Sequence, residues 1–248
     1  MRHLLPLLLA LAVVLAENTF HPTAVLTRKG KEVVVEKTSP DEVGLAWIED
    51  REEGLLFVFY DPPPYAVKVH FGEDAEAQGH LAVVEQPNKG KERIRLGDGE
   101  ARYDPEADRA IYEVKPKPNA VEVKTGKFTA KGALLDYDND RGLADLKGPV
   151  RFSRAGNTPL TGEADRLVYA ADEARVWLMG HVVFRQEKRT TRAETALVDD
   201  RAGLAWLWGA PVVSEKGDER IQGRRLRYGL KGGEIWVLEG ISGALPGE

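Results

Sequence analysis

The chain has 248 residues, of which 30% are charged, and its formal net charge is -5. Charges of both signs are mixed along the chain, so no basic stripe is present to neutralise phosphates, and nucleic acid is excluded as the expected partner. The absence of cysteine excludes a disulfide scaffold and a lipid anchor on cysteine.

The first predicted element is an export signal over residues 1–16. Arg2 and His3 form a short basic start, Leu4 to Leu15 is almost purely apolar, and Ala16 offers a small residue at a cleavage point. The apolar run is shorter than the roughly 20 residues that span a bilayer. We therefore expect an exported, periplasmic protein. The alternative is an uncleaved inner-membrane anchor formed by residues 4–16.

Residues 17–93 are predicted to form an irregular β region. Apolar and β-branched runs bounded by turn residues predict four strands: Glu32–Lys37, Leu55–Tyr60, Ala66–Phe71 and His80–Gln86. Pro62 to Pro64 end the second of these strands because proline cannot donate a ladder hydrogen bond. A loop is predicted over Pro87–Lys91. No long flexible linker follows, so we expect this region to be continuous with the rest of the chain.

Residues 94–248 contain a pattern that recurs about every 30 residues. A small residue is followed by Leu or Ala, then by Tyr or Val, then by a turn and an alternating apolar run that ends in Gly. The small residue stands at Gly132, Ala164, Ala193 and Gly223. The distance from the Tyr or Val to the final Gly is 11 residues in three copies and 12 in the last. An earlier partial copy contains Ala101 and Tyr103.

Within each copy the apolar side chains alternate with a period of two, which is typical of a β-strand. Each copy is therefore predicted to be a hairpin of two short strands joined by a turn of Asp, Asn and Gly. The Gly near the middle of the second strand predicts a bend at which the strand changes sheet. One hairpin is marginal alone, so stacked hairpins predict an all-β fold, an elongated antiparallel sandwich or roll.

The repeats resemble the OstA-like family, which includes the lipopolysaccharide transport proteins LptA and LptC and the N-terminal domain of LptD. The strings that carry the resemblance are residues 162–169, 176–184, 192–199 and 221–228, and it covers residues 95–248. It implies a β-jelly roll, open at both ends, whose hydrophobic interior holds lipid acyl chains. It also implies two partners: lipopolysaccharide or another amphiphilic envelope lipid, and other OstA-like proteins joined end to end by strand pairing.

The candidate lipid-binding lining consists of apolar side chains on the strand face of the repeat glycine. These are Leu146, Val150, Phe152, Leu167, Tyr169, Val176, Leu178, Val182, Phe184, Leu207 and Leu238. The alternative is that they fill a dry, closed core, which is the ordinary role of such residues.

Basic residues form the candidate headgroup site because arginine pairs bidentately with phosphate. Four are predicted to cluster in the loop after the central repeat, Arg185, Lys188, Arg189 and Arg192, and three lie near the C-terminus, Arg224, Arg225 and Arg227. The alternative is solvated strand faces with charges that protect edges.

Three tryptophans, Trp177, Trp206 and Trp208, are predicted on the face opposite the lining. They mark either a partner site or ordinary packing between sheets.

No metal, cofactor or catalytic activity is predicted. Asp136 to Gly142 resembles the start of a calcium loop, but its Gly is one place late and position twelve is Lys147 rather than Glu, so a plain turn is predicted. No paired metal-binding histidines, nucleophile elbow or phosphate loop occur. The sequence therefore favours lipid binding or bridging in the envelope. The alternatives are a structural scaffold with a closed core and, below it, a polysaccharide-active enzyme.

Overall fold

A computed structural model describes residues 24–28, 31–38, 44–51, 54–86, 92–240 and 242–244, and its regular elements are all β-strands. The predicted export signal and the loop at 87–91 lie outside these residues. Across the described ranges the backbone forms no helix of the length and apolarity that a membrane span requires. The strands are β1 (Ala24–Arg28), β2 (Lys31–Lys37), β3 (Leu45–Arg51), β4 (Gly54–Tyr60), β5 (Val67–Phe71), β6 (Ala75–Gly79), β7 (Leu81–Gln86), β8 (Arg93–Asp104), β9 (Arg109–Lys115), β10 (Val121–Thr125), β11 (Phe128–Gly132), β12 (Leu134–Asp138), β13 (Leu143–Arg154), β14 (Leu160–Ala170), β15 (Arg175–Gln186), β16 (Arg189–Asp199), β17 (Leu204–Lys216), β18 (Glu219–Gly229), β19 (Ile235–Glu239) and β20 (Ser242–Ala244).

The strands from β13 to β18 are joined as successive antiparallel hairpins, so the all-β fold expected from the repeats is confirmed. Each strand has 11 to 13 residues rather than the short length expected. The pairing register shifts near the middle, for example between Met179 and Val182. The strand bends at this shift, as the glycine in each copy predicted, because a bulge locally interrupts the ladder.

The bends divide the sheet into two layers. Layer I has the strand order β3, β4, β7, β8, β12, β13, β14, β15, β16, β17, β18 and β19. Layer II has the order β1, β2, β5, β6, β10, β11, β13, β14, β15, β16, β17, β18 and β20. The strands from β13 to β18 belong to both layers, one half to each.

The two layers pack face to face around one hydrophobic core. The ring of Phe71 in layer II lies 4.6 Å from the ring of Tyr137 in layer I, and Phe184 in layer II lies 5.8 Å from Tyr228 in layer I. These tilted and edge-to-face arrangements are ones that aromatic pairs favour. The line of bends is called the spine below, and the opposite side, where strand ends of the two layers meet, is called the mouth.

The strands before residue 93 pair into the same two layers. In layer II, β6 pairs with β10, and in layer I, β7 pairs with the first half of β8. Here two short strands cross from one layer to the other, where a single bent strand does so in the repeats. For example, β6 and β7 lie in different layers on either side of His80. The predicted boundary between residues 93 and 94 falls at the start of β8, and the division into two regions stays a prediction.

The second half of β8 and β9 form a hairpin that leaves the roll, with Asp98 opposite Lys115 and Asp104 opposite Arg109. It covers the outer face of layer I and buries Val58, Leu81 and Ala110 in a second, smaller core. The partial repeat copy at Ala101 and Tyr103 therefore forms a hairpin, but in a third layer rather than in the roll.

Candidate functional site

The space between the layers is the candidate site, and ten of the eleven predicted lining residues lie there. Leu178, Val182, Phe184 and Leu207 have no exposed surface, and the others, apart from Leu238, are at most 5% exposed. All ten belong to one cluster of buried side chains. A role for these residues in binding lipid stays a prediction.

The predicted inward position of Leu238 is wrong, because its side chain is 46% exposed. Arg225 pairs with Glu239 but Leu226 pairs with Val237, so Leu238 is an extra residue in a β-bulge. The bulge directs Leu238 outwards, while Ile235 and Val237 pack against the core. The one-residue longer spacing of the last copy is the sequence signal of this bulge.

At the mouth, the layers are joined by side chains rather than by strand pairing. Arg154 of layer II is 4% exposed, and its Nε donates a hydrogen bond of 2.5 Å to Oδ1 of Asp200, which lies in a turn of layer I. A buried arginine keeps its charge and needs such a partner, because an unpaired buried charge is strongly destabilising.

Gln186 forms a second connection across the mouth. Its Nε2 donates to the carbonyl oxygens of Thr158 at 2.9 Å and Leu230 at 3.2 Å, and its Oε1 accepts a hydrogen bond of 2.8 Å from the Tyr228 hydroxyl. The Thr158 hydroxyl also donates to the Lys231 carbonyl oxygen. Burial raises the pKa of Tyr228 to about 12, since the phenolate would lose its hydration.

A third connection lies nearer the N-terminal strands. Lys31 Nζ donates to Asp172 Oδ2 at 2.5 Å. Beside it Gly72, with a φ of +68°, approaches Ala171 so closely that a Cβ at Gly72 would lie 3.1 Å from the Ala171 Cβ. Burial likewise raises the pKa of Tyr137, beneath this contact, to about 12.

Two cavities interrupt the mouth, one on either side of the Gly72–Ala171 contact. The first, of about 440 Å³, is lined by Lys31, Glu32 and Tyr137 among others. The second, of about 250 Å³, has a polar rim that includes Asp74, Asp200 and Arg201, and an apolar floor of Phe128, Tyr169, Val176 and Val198. The floor residues belong to the core, so this slot leads from solvent to the predicted lining.

The loop predicted for the four basic residues is a two-residue turn of Glu187 and Lys188, so Lys188 is the one member of the group that lies in it. Arg185 and Arg192 lie in strands of layer II and pair with Glu163 and Glu215. Arg189 is half-buried and donates two bonds from Nη2 to the Glu219 carboxylate.

The predicted basic residues near the C-terminus lie in a different part of the sheet. Arg224 lies at the bend of β18, and Arg225 pairs in register with Trp208 in layer I. The two predicted groups are therefore separated because β18 has changed layers between residues 223 and 225. Binding of a headgroup by either group stays a prediction.

The turn at Asp138 to Gly142 is stabilised by its own side chain, since Asp138 Oδ1 accepts a hydrogen bond of 3.1 Å from the Arg141 amide. In the part of the chain that the structure describes, no group of three or more His, Cys, Asp or Glu side chains is arranged to hold a metal ion. Trp177, Trp206 and Trp208 lie on the outer face of layer I, as predicted.

The residues that close the mouth were not predicted, although the sequence contains a signal for two of them. Arg154 continues the inward series Val150 and Phe152, and Gln186 continues the series Val182 and Phe184. A polar residue in phase with an apolar series must be buried at the strand end, where it needs a partner. The partners Asp200 and Leu230 come from distant turns and have no such signal.

Among solved structures, the chain is similar to a periplasmic transport component. LptH, the LptA-homologous periplasmic component of the conserved lipopolysaccharide transport device of Pseudomonas aeruginosa, is 13% identical, with a TM-score of 0.31. The match covers 62% of this chain and 95% of LptH. No protein-family model matches the chain, and no curated protein matches it.

Proposed function

We propose that this chain is an exported envelope protein that binds the acyl chains of an amphiphilic lipid between its two layers. Lipopolysaccharide is the first cargo to test, and another envelope lipid is the second. The interior supplies a continuous apolar surface, and burial of apolar area stabilises a bound chain by about 25 cal/mol per Å².

The observation that carries this proposal is the construction of the mouth. Strand pairing holds the layers together along the spine, whereas at the mouth the described residues join them through side-chain contacts such as Arg154–Asp200. Opening the mouth breaks a few such contacts and exposes their polar groups to water, so it costs far less than breaking the ladder at the spine, in which each of many backbone hydrogen bonds contributes about 1 kcal/mol. The mouth can therefore open while the sheet stays paired.

The slot above Phe128 and Tyr169 is the proposed point of entry. Its apolar floor would receive an acyl chain, while the rim residues Asp200 and Arg201 stay in contact with water. Movement through this subunit is passive, and the energy for direction comes from elsewhere. Within the described residues β1, β3, β19 and β20 each pair on one side only, which suits end-to-end pairing with other envelope proteins.

The periplasm is the proposed location, with an inner-membrane anchor at residues 4–16 as the alternative. A comparison of the mature N-terminus with the encoded one tests this directly. Cleavage after Ala16 supports export as a free protein, and an intact N-terminus in the membrane fraction supports the anchor.

A disulfide across the mouth tests the proposed route. The chain contains no cysteine, so Gly72→Cys with Ala171→Cys introduces a single pair. The Cβ atoms would be 3.1 Å apart, within about half an ångström of the usual disulfide range. We expect native mass spectrometry to detect bound lipopolysaccharide or phosphatidylethanolamine with the reduced variant and none with the oxidised variant. Reduction should restore uptake, and Gly72→Cys alone is the control for backbone strain.

Equal uptake by the oxidised and reduced forms would show that the mouth is not the route. A closed scaffold is the second candidate function, because buried Arg154 and Gln186 seal part of the mouth. If protein purified from its own envelope contains no extractable amphiphile and takes up none that is offered, the scaffold replaces the carrier.

A further inference from the structure

The outer face of layer I has an aromatic surface near its C-terminal edge. Register relates Trp177 to Leu197, Leu197 to Trp206, Trp206 to Arg227 and Arg227 to Trp236, so these side chains form one row across five strands. In the next row Trp208 stands opposite Arg225. The tryptophan face is defined as Trp177, Trp206, Trp208, Arg225, Arg227 and Trp236.

This surface is left open, although the same layer is covered elsewhere. The β8–β9 hairpin reduces the exposure of Val58 and Leu81 to zero, whereas Trp177 and Trp236 are each 39% exposed. Leu238, beside Trp236, is 46% exposed. Large apolar side chains grouped in this way on a soluble surface mark an interaction site.

The face also has arginines without acidic partners. The Arg225 guanidinium carbon lies 5.7 Å from the centre of the Trp208 ring, and that of Arg227 lies 4.2 Å from the centre of the Trp236 ring. Among the described residues neither forms an ion pair, whereas Arg166 and Arg175 on the same face do. Arg227 Nε is buried and has no hydrogen-bond partner. Two arginines without acidic partners thus stand on one face of a protein whose net charge is -5.

We infer that the tryptophan face binds the surface of an anionic lipid bilayer. Tryptophan favours the boundary between headgroups and acyl chains, because its ring is apolar and its N–H remains polar. Arginine donates bidentate hydrogen bonds to phosphate and is attracted by the negative potential of such a surface. A sheet face presents both residue types in one plane, as a bilayer requires.

The ring geometry favours a bilayer over an anionic polysaccharide. Sugars bind tryptophan by lying on an open ring face. Here Trp177 and Trp208 stack on each other at 6.0 Å, and the guanidinium groups of Arg225 and Arg227 lie over Trp208 and Trp236. Trp177, Trp208 and Trp236 thus each have a neighbour over a ring face, which reduces the open ring surface on which a sugar could lie. This inference is independent of the proposed carrier function, because the face is on the outside of the roll.

The test is tryptophan fluorescence of the full chain with vesicles of phosphatidylcholine and phosphatidylglycerol in equal parts, with brominated phosphatidylcholine as the quencher. Residues 1–23 contain no tryptophan, so membrane binding by the N-terminal apolar run alone gives no quenching from that segment. We expect quenching with these vesicles and little with phosphatidylcholine alone. Binding should weaken as salt rises from about 0.1 M to about 1 M, since the screening length shortens from about 10 to about 3 Å.

Two double variants test whether the tryptophan face is responsible for vesicle binding. Arg225→Gln with Arg227→Gln should weaken binding about 25-fold, because each cation near an anionic surface contributes about fivefold. Trp177→Ser with Trp236→Ser should lose most of the quenching. Arg102→Gln with Arg151→Gln removes the same charge from exposed positions elsewhere and should bind like the wild type. Circular dichroism shows whether each variant is folded. If one of the two double variants does not fold, the other still tests membrane binding by the tryptophan face.

Several results would overturn the inference. Sedimentation with vesicles without tryptophan quenching would assign membrane binding to the N-terminal segment instead. An emission change with soluble polygalacturonate but not with vesicles would make the face a polysaccharide site. An emission shift that depends on protein concentration alone, with matching dimerisation, would make it an interface between two copies.

Discussion

At the scale of single residues, the small positions of the repeat are explained by close packing at the spine. A Cβ on Gly132 would lie 2.6 Å from Leu146 Cγ and 2.8 Å from the Lys147 carbonyl oxygen. Gly223 has similar neighbours in the last copy, with Val237 Cγ1 at 2.8 Å. The repeat keeps these positions small because the strand passes from one layer to the other there.

Gly132→Ala should therefore lower the free energy of unfolding by about 1–3 kcal/mol, which is typical of an overpacked core. Gly156→Ala is the matched control, because a Cβ there would meet no backbone atom and only Nη1 of Arg154, at 3.3 Å. We expect the control to change stability by less than about 0.5 kcal/mol. Urea unfolding measures both, and equal stability of the two variants would contradict the steric explanation.

Gln186 and Tyr228 should act as one unit. Gln186→Leu leaves two carbonyl oxygens and the Tyr228 hydroxyl without a partner, so we expect a loss of about 1–3 kcal/mol, and Tyr228→Phe should cost about 1 kcal/mol. The double variant should lose less than the sum, by about 0.5 kcal/mol or more. Strict additivity in denaturant unfolding would show that their hydrogen bond contributes nothing.

The buried tyrosines also predict sensitivity to alkali. Burial raises the pKa of Tyr137 and Tyr228 from 10 to about 12, so the neutral phenol is favoured in the folded chain. Because the folded pKa exceeds the unfolded one, this stabilisation is complete below pH 10 and is lost as the pH rises to about 12. Each tyrosine accounts for about 3 kcal/mol of the free energy of unfolding that is lost over this pH range. Tyr228→Phe should make the loss between these pH values shallower, and an unchanged slope would be inconsistent with its burial.

The residue scale also shows the limits of the sequence. The period-two alternation placed Val182, Phe184 and Leu207 inside correctly, because alternate residues of a strand must share a face. It failed at Leu238, where one inserted residue reverses the facing of its side chain. Asp200 was not recognised because its partner, Arg154, comes from another hairpin, and the alternation within one strand contains no information on that pairing.

At the scale of elements, the β8–β9 hairpin replaces solvent on the outer face of layer I. Its second half carries Ala110, which is 4% exposed and packs in the cluster with Leu56 and Val83. The partial repeat copy at Ala101 and Tyr103 indicated a hairpin here but not the layer in which it lies. Periodicity marks the faces of a strand, and it does not distinguish a hairpin in the roll from one folded over it.

Ala110→Asp should detach this hairpin, because a carboxylate cannot enter an apolar contact without a partner. We expect faster amide hydrogen exchange in β9 and in β4, whose outer face the hairpin covers, with β15 and β16 as protected as before. Ala107→Asp, at an exposed position in the turn of the same hairpin, is the control. Loss of protection throughout the sheet would instead make the hairpin necessary for the whole fold.

At the scale of the whole molecule, the ion pairs at the mouth should limit how fast the interior opens. Asp172→Asn with Asp200→Asn removes the partners of Lys31 and Arg154. If the carrier proposal holds, an offered lipid should bind faster to this variant than to the wild type, with little change in the final amount. Stopped-flow fluorescence with a labelled fatty acid measures the rate. An unchanged rate would exclude these contacts as the barrier.

The passage of the strands from β13 to β18 through both layers has a consequence for how such a chain can change in length. A duplicated or deleted hairpin adds or removes one pair of strands in each layer at once, so the faces stay matched and the remaining hairpins keep their neighbours. An insertion of a single bent strand would leave the chain at the opposite end of the sheet, so the antiparallel order of the hairpins that follow could not be kept. Descendants of this fold should therefore differ by whole units of about 30 residues, and their interiors should lengthen in equal steps.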